Sequence, residues 1–105
     1  LSSVLAVDVG TSSVRADVFD ETAEERDAPA RRDYPGENDP DRIFAHTREA
    51  IEEAGGAEGV DAVGASCFGH SLLALDGQGR PLTPVLSWRD TRSAAAAEWL
   101  LRRLD

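Results

Sequence analysis

Within eight positions near the start of the chain, Asp8, Gly10, Thr11, Ser12, Ser13 and Arg15 bring together a carboxylate, a glycine, three hydroxyls and a guanidinium. Those types at that spacing suit phosphate chemistry. Gly10 lets backbone approach a ligand where a Cβ would obstruct it, and successive N–H groups of a tight turn form a nest for an anion. Arg15 offers a rigid fork for phosphate oxygens. Asp8 can hold a Mg²⁺ ion through water, because that ion keeps most of its hydration. The same residue types are also ordinary turn formers, and D-x-G-T-S by itself suits a solvated hairpin equally well. Placement has to separate the two readings.

The elements around the turn give that placement. Val4–Val7 is a continuous apolar run, which suits a strand buried on both faces. Val14, Ala16 and Val18 alternate with Arg15, Asp17 and Phe19, the period of a second strand. The short turn between the two runs predicts an antiparallel hairpin over residues 3–20, and a weak third strand follows around Ala28–Tyr34. Asp39 reads as an N-cap with Pro40 at the first helical position, where a missing N–H costs nothing. Ile43, Thr47, Ala50, Ile51 and Ala54 share one helical face, and Gly55-Gly56 ends a helix over residues 40–54. Val60–Ser66 reads as a strand, and Leu72–Leu75 and Pro84–Trp88 as two more, joined by a turn at Asp76–Gly79. Together these make a strand-and-hairpin unit over residues 60–92. A last helix over residues 93–104 carries Ala97, Leu100, Leu101 and Leu104 as its apolar stripe; Asp90, taken alone, would be its N-cap, and a capping acid keeps a second oxygen for a ligand hydroxyl. Three antiparallel strands, a helix and a further strand start a mixed α/β sheet. One side of that sheet lacks cover, so the chain reads as part of a domain.

Composition excludes several classes. The chain of 105 residues suits one small domain. Its formal charge is −9, every basic residue is Arg, and Asp17 to Asp41 holds ten acids against three Arg. Such a surface repels polyanions, so nucleic acid is not an expected partner. Cys67 is the only cysteine, which rules out an internal disulfide and favours a reducing compartment; it reads as a buried small residue. His46 and His70 lie too far apart to suggest a metal site, and His46 receives no role. No apolar run approaches the roughly 18 residues of a membrane span, and no basic, apolar leader is seen. The expected location is the cytoplasm, with no membrane partner.

The stretches VLAVDVGTSSVRADVFD, GENDPDRI and VDAVGASCFGHSLLALDGQGRPLTPVLSWRDTRS resemble the opening of an FGGY-family carbohydrate kinase. The resemblance covers nearly the whole chain. Its last segment, with His-Ser-Leu at 70–72, Pro-Leu-Thr-Pro at 81–84 and Trp-x-Asp-x-Arg at 88–92, is close to the gluconokinase- and xylulokinase-like branches. The resemblance implies a ribonuclease-H-like fold of the actin/hexokinase superfamily, in which two domains flank a catalytic cleft. This chain would be the incomplete first domain. It further implies that Asp8, Gly10, Thr11, Ser12, Ser13 and Arg15 serve the ATP phosphates and Mg²⁺, with Asp8 holding the metal through water. Gly69, His70, Trp88, Asp90 and Arg92 would bind the substrate, a sugar or sugar acid. Gly69 stands where relatives carry a larger side chain, and Phe68 where some branches carry Gln.

Phosphorylation of a sugar hydroxyl needs a base, Mg²⁺ on the ATP phosphates and donors for the transferring group. The resemblance implies that the base is an Asp in the second domain, so no catalytic residue is assigned within this chain and the segment alone is expected to be inactive. A different class of function stays open: a non-catalytic sugar- or phosphate-binding pseudokinase or regulatory fragment. A homodimer is compatible with either.

Overall fold

A computed structural model of the chain describes residues 2–24 and 29–104. Four strands make one mixed sheet in the order β3-β2-β1-β4, with β1 at Ser3–Val9, β2 at Ser13–Asp20, β3 at Ala30–Asp33 and β4 at Ala62–Cys67. β1 and β2 form the expected antiparallel hairpin, with Val9 opposite Val14 next to the turn and Ser3 opposite Asp20 at the far end. β3 continues the antiparallel run, and β4 lies parallel to β1 with Val4 opposite Ala62. Of the residues assigned to the third strand, Ala28 lies outside the described residues.

The helix α1, Pro40–Glu53, follows its local chemistry. The Asp41 N–H donates to the Asp39 side chain at 3.0 Å, and the Ile43 N–H donates to the Asp39 carbonyl at 3.0 Å. Gly55 and Gly56 both take positive φ, +102° and +74°, which ends the helix where a side chain would strain the backbone. α1 packs on β2 and β3. Beneath it Leu5, Val7, Val14, Ala16, Val18, Ala30 and Tyr34 meet Ile43, Ala50 and Ala54 in a single apolar core. Asp39→Ala is expected to destabilise the fold by about 1 kcal/mol, the usual worth of a side-chain cap, measurable as a lowered midpoint in urea unfolding.

Three expectations about burial and pairing are corrected. β1 is covered on one face only: Leu5 and Val7 are buried, while Val4 is 38% exposed, because among the described residues α1 is the only helix layered on the sheet. Cys67 is exposed, not buried. α1 lies over the β2–β3 side, so β4 is exposed along its whole length. Residues 72–75 and 84–88 form no regular strands; they meet through isolated bridges, Leu72 with Leu86 and Leu75 with Pro81. Pro81 and Pro84 lack the N–H groups a ladder would need. The turn between them is the expected one. Asp76 accepts hydrogen bonds from the N–H groups of Gln78 and Arg80, both at 2.9 Å, and from Arg80 Nε at 2.7 Å. These donors hold the Asp76 carboxyl below its ordinary range.

α2 spans Ala94–Leu104 and buries none of its residues. Its stripe of Leu100, Leu101 and Leu104 faces solvent, and the Arg103 guanidinium lies over the Trp99 ring, 3.7 Å from its centre. The radius of gyration is 17.6 Å, against about 13 Å for a closed domain of this length. No helix among the described residues is long and apolar enough to cross a membrane.

Candidate phosphate turn and sugar pocket

Thr11 and Ser12 form the two-residue loop of the β1–β2 hairpin. The Gly10 N–H donates to the Ser13 carbonyl at 2.8 Å and closes it. A Cβ on Gly10 would stand 3.0 Å from that same carbonyl oxygen, a tight contact that favours glycine in the turn. Both loop residues are exposed, and their amides have no acceptor among the described residues.

A residue absent from the sequence-based site fixes this turn. The Tyr34 hydroxyl donates to the Gly10 carbonyl at 2.8 Å, and the Tyr34 N–H donates to the Ser12 carbonyl at 2.8 Å. The ring is 4% exposed and stacks on His46 of α1, with centroids 5.5 Å apart and planes inclined by 24°. Burial pushes the Tyr34 phenol up, and the nearby Cys67 and Asp8 charges add to this. His46, given no role from sequence, therefore supports the residue beneath the turn. The one available signal was a single tyrosine directly after an otherwise charged strand, and spacing does not reveal a contact across 24 positions.

The candidate residues fall into two groups. Thr11 and Ser12 line a cavity of about 520 Å³ together with Glu37, Phe68, Trp88 and Asp90. His70, Trp88, Asp90 and Arg92 line an adjoining cavity of about 580 Å³, which shares Ser87, Trp88 and Asp90 with the first. The Val85 N–H donates to the Asn38 carbonyl at 2.8 Å and ties this wall to the start of α1. Asp8 and Arg15 are opposite each other in register and line the open face of the sheet instead, in a hollow of about 840 Å³ with Asp17 and Ser66. The turn and its two flanking charges thus address different sides of the hairpin. Gly69 borders the second group through its neighbour His70, whose φ of +55° is left-handed, a conformation that histidine tolerates better than most residues.

Asp90 does not cap α2, because the first bond inside that helix runs from the Ala97 N–H to the Ser93 carbonyl. Asp90 stands three residues too early and closes its own turn. Its Oδ1 accepts from the Arg92 N–H at 3.0 Å and from Arg92 Nε at 2.9 Å, and its Oδ2 pairs with Arg92 Nη2 at 2.9 Å. The Arg92 backbone and guanidinium hold the Asp90 carboxyl below its ordinary range, so it stays charged at neutral pH. Oδ2 retains a lone pair for a ligand hydroxyl. Across the turn, Arg89 lies over the Trp88 ring at 4.8 Å, and Trp88 is 60% exposed, an aromatic face open to the cavity side.

Asp8 is exposed and has no hydrogen-bond or ion-pair partner among the described residues, which fits a carboxylate kept available for a hydrated cation. Arg15 has no ion-pair partner among them either.

Comparison with known proteins places this geometry. The profile of the FGGY family of carbohydrate kinases, N-terminal domain, matches residues 3–105. A xylulose kinase of Arthrobacter sp. (strain NRRL B3728) is 32% identical over 96 residues, covering 90% of this chain and 100% of that sequence. A gluconokinase of Bacillus subtilis (strain 168) is 28% identical over 114 residues, covering 99% of this chain and 22% of that protein. The crystal structure of xylulose kinase from Bifidobacterium adolescentis superposes with a TM-score of 0.88 at 32% identity, covering 98% of this chain and 21% of that one. The chain thus spans about a fifth of the gluconokinase and of the crystallised xylulose kinase. Its hairpin, mixed sheet and turn are those of an actin-like fold, and the chain belongs to the FGGY family of carbohydrate kinases, within their N-terminal domain.

Proposed function

We propose that the protein carrying this chain transfers the γ-phosphoryl group of ATP to a hydroxyl of a sugar or sugar acid of the gluconate or xylulose kind. The observation that carries this reading is the shared wall of two cavities, where Thr11 and Ser12 open on the same space as Trp88 and Asp90, and His70 and Arg92 open on the next. A phosphate held at the turn would then lie beside a polyol held at Asp90, which is the juxtaposition a direct transfer requires.

In this reading the free amides and hydroxyls of Thr11 and Ser12 meet phosphate oxygens. Asp90 and His70 accept or donate to ligand hydroxyls, and Trp88 supplies an apolar face for the sugar's C–H surface. Arg92 holds Asp90 in its ionised form and aims it. Asp8, on the open face of the sheet, would hold Mg²⁺ through water, and the ion would supply positive charge for those ATP phosphates that reach past the hairpin tip to that face. The general base belongs to a part of the protein beyond this chain. The open sheet face and the solvent-facing stripe of α2 fit a chain that continues over them. ATP as co-substrate and a lone exposed thiol fit a cytoplasmic protein.

Steady-state assays of the whole protein with ATP against gluconate, xylulose, glycerol and unrelated sugars test the proposal. It expects kcat/KM for one polyol or sugar acid at least about tenfold above the rest. Tight sugar binding with no turnover on any of them would replace it by the pseudokinase reading.

A further inference from the structure

Both hydrogen-bond donors of Tyr34 go to the phosphate turn. Its hydroxyl takes the Gly10 carbonyl and its amide takes the Ser12 carbonyl, each at 2.8 Å. A trans peptide points its C=O and the following N–H in opposite directions. Holding the Gly10 carbonyl inward therefore turns the Thr11 N–H outward. The hydroxyl that holds this carbonyl belongs to a buried ring, itself fixed by its stack on His46 of α1, while the backbone bond to the Ser12 carbonyl anchors the same ring's residue beneath the turn.

We propose that Tyr34 is a positioning residue for phosphoryl transfer, its hydroxyl setting the orientation of the Thr11 N–H donor from beneath the turn. The proposal rests on the kinase reading above. A tyrosine that merely filled the core could satisfy its hydroxyl on any nearby acceptor, whereas this one places it on the carbonyl whose peptide carries the Thr11 N–H. Donors already aligned need no reorganisation when charge develops on the phosphoryl group, and this is where such alignment acts on rate.

The test uses Tyr34→Phe in the whole protein, which deletes one hydroxyl and keeps the ring stack. Hydrogen exchange is followed by mass spectrometry on peptides spanning residues 9–14, with and without ATP and Mg²⁺, alongside steady-state kinetics. Exchange of the Gly10 amide, bonded to the Ser13 carbonyl, is expected to quicken roughly five- to tenfold, the size of one lost hydrogen bond, and the slowing of the turn's exchange by ATP to shrink. The value of kcat should fall by roughly the same factor, with sugar KM held within about twofold. Ile51→Val, a small core loss on α1 away from the turn, serves as the comparison. Unchanged exchange in Tyr34→Phe overturns the proposal, as does quickened exchange that Ile51→Val reproduces. Quickened exchange with unchanged kcat in an active protein overturns it too. If the wild-type protein phosphorylates no sugar, the kinase reading fails, while the exchange and its response to ATP still decide whether Tyr34 orients this donor.

Discussion

Replacing Thr11 by valine in the whole protein is expected to lower turnover with ATP on the order of 10²-fold, the cost of one donor aimed at developing charge. The substitution is nearly isosteric, and Thr11 is exposed at the tip of a hairpin, so the fold has little to lose. Its hydroxyl and amide have no intramolecular partner among the described residues, so they are available to a ligand. Charge on the transferring group is redistributed in the transition state, and the loss therefore falls on kcat, with sugar KM within about twofold of wild type. Steady-state kinetics in both substrates separate the two constants. Equal effects on both would mean that Thr11 shapes the pocket as a whole.

The second large effect is expected at Asp90. Asp90→Asn should reduce kcat/KM for the sugar by about 10- to 100-fold, the range for a hydrogen bond that loses its charged partner. Most of that should appear as a raised sugar KM, because a hydroxyl bound in the ground state stays bound in the transition state. Arg92 adds to the loss. Its Nε and Nη2 both face the Asp90 carboxylate, and an amide oxygen can replace one of those contacts but not the ion pair. Sugar binding followed by calorimetry, set against ATP KM, checks the assignment. A matched rise in ATP KM would move Asp90 to the phosphate side of the cavity.

What could be read from the sequence follows from the range of the forces involved. The hairpin was legible because Val14, Ala16 and Val18 repeat with period two on one side of a hydroxyl-rich turn, and that is a local pattern. The first helix was legible from Asp39, Pro40 and the paired glycines, again local. The burial of Val4 and Cys67 was misread because it depends on which layers cover the sheet, and α1 covers only one part of one face. Asp90 was taken for a helix cap because capping and turn closure use the same residue type, and only the position of the first helical bond, at Ser93, tells them apart. Tyr34 escaped because its role is a contact from the residue just after β3 to the hairpin tip, to which no periodicity points. The split between Thr11 and Ser12 on one side and Asp8 and Arg15 on the other was also beyond reach. A strand alternates its faces, but a turn does not declare which face its tip will join.

On the proposed reading, one wall of this domain brings a phosphate site and a polyol site side by side for direct transfer. Incubating the whole protein with ATP carrying a radiolabelled γ-phosphoryl group and a preferred sugar tests it most directly. Label is expected on the sugar, with one phosphoryl group transferred per ATP consumed, and is expected to be lost in Thr11→Val at concentrations where the sugar is still bound. Label released only as inorganic phosphate, at a rate indifferent to the sugar, would contradict it.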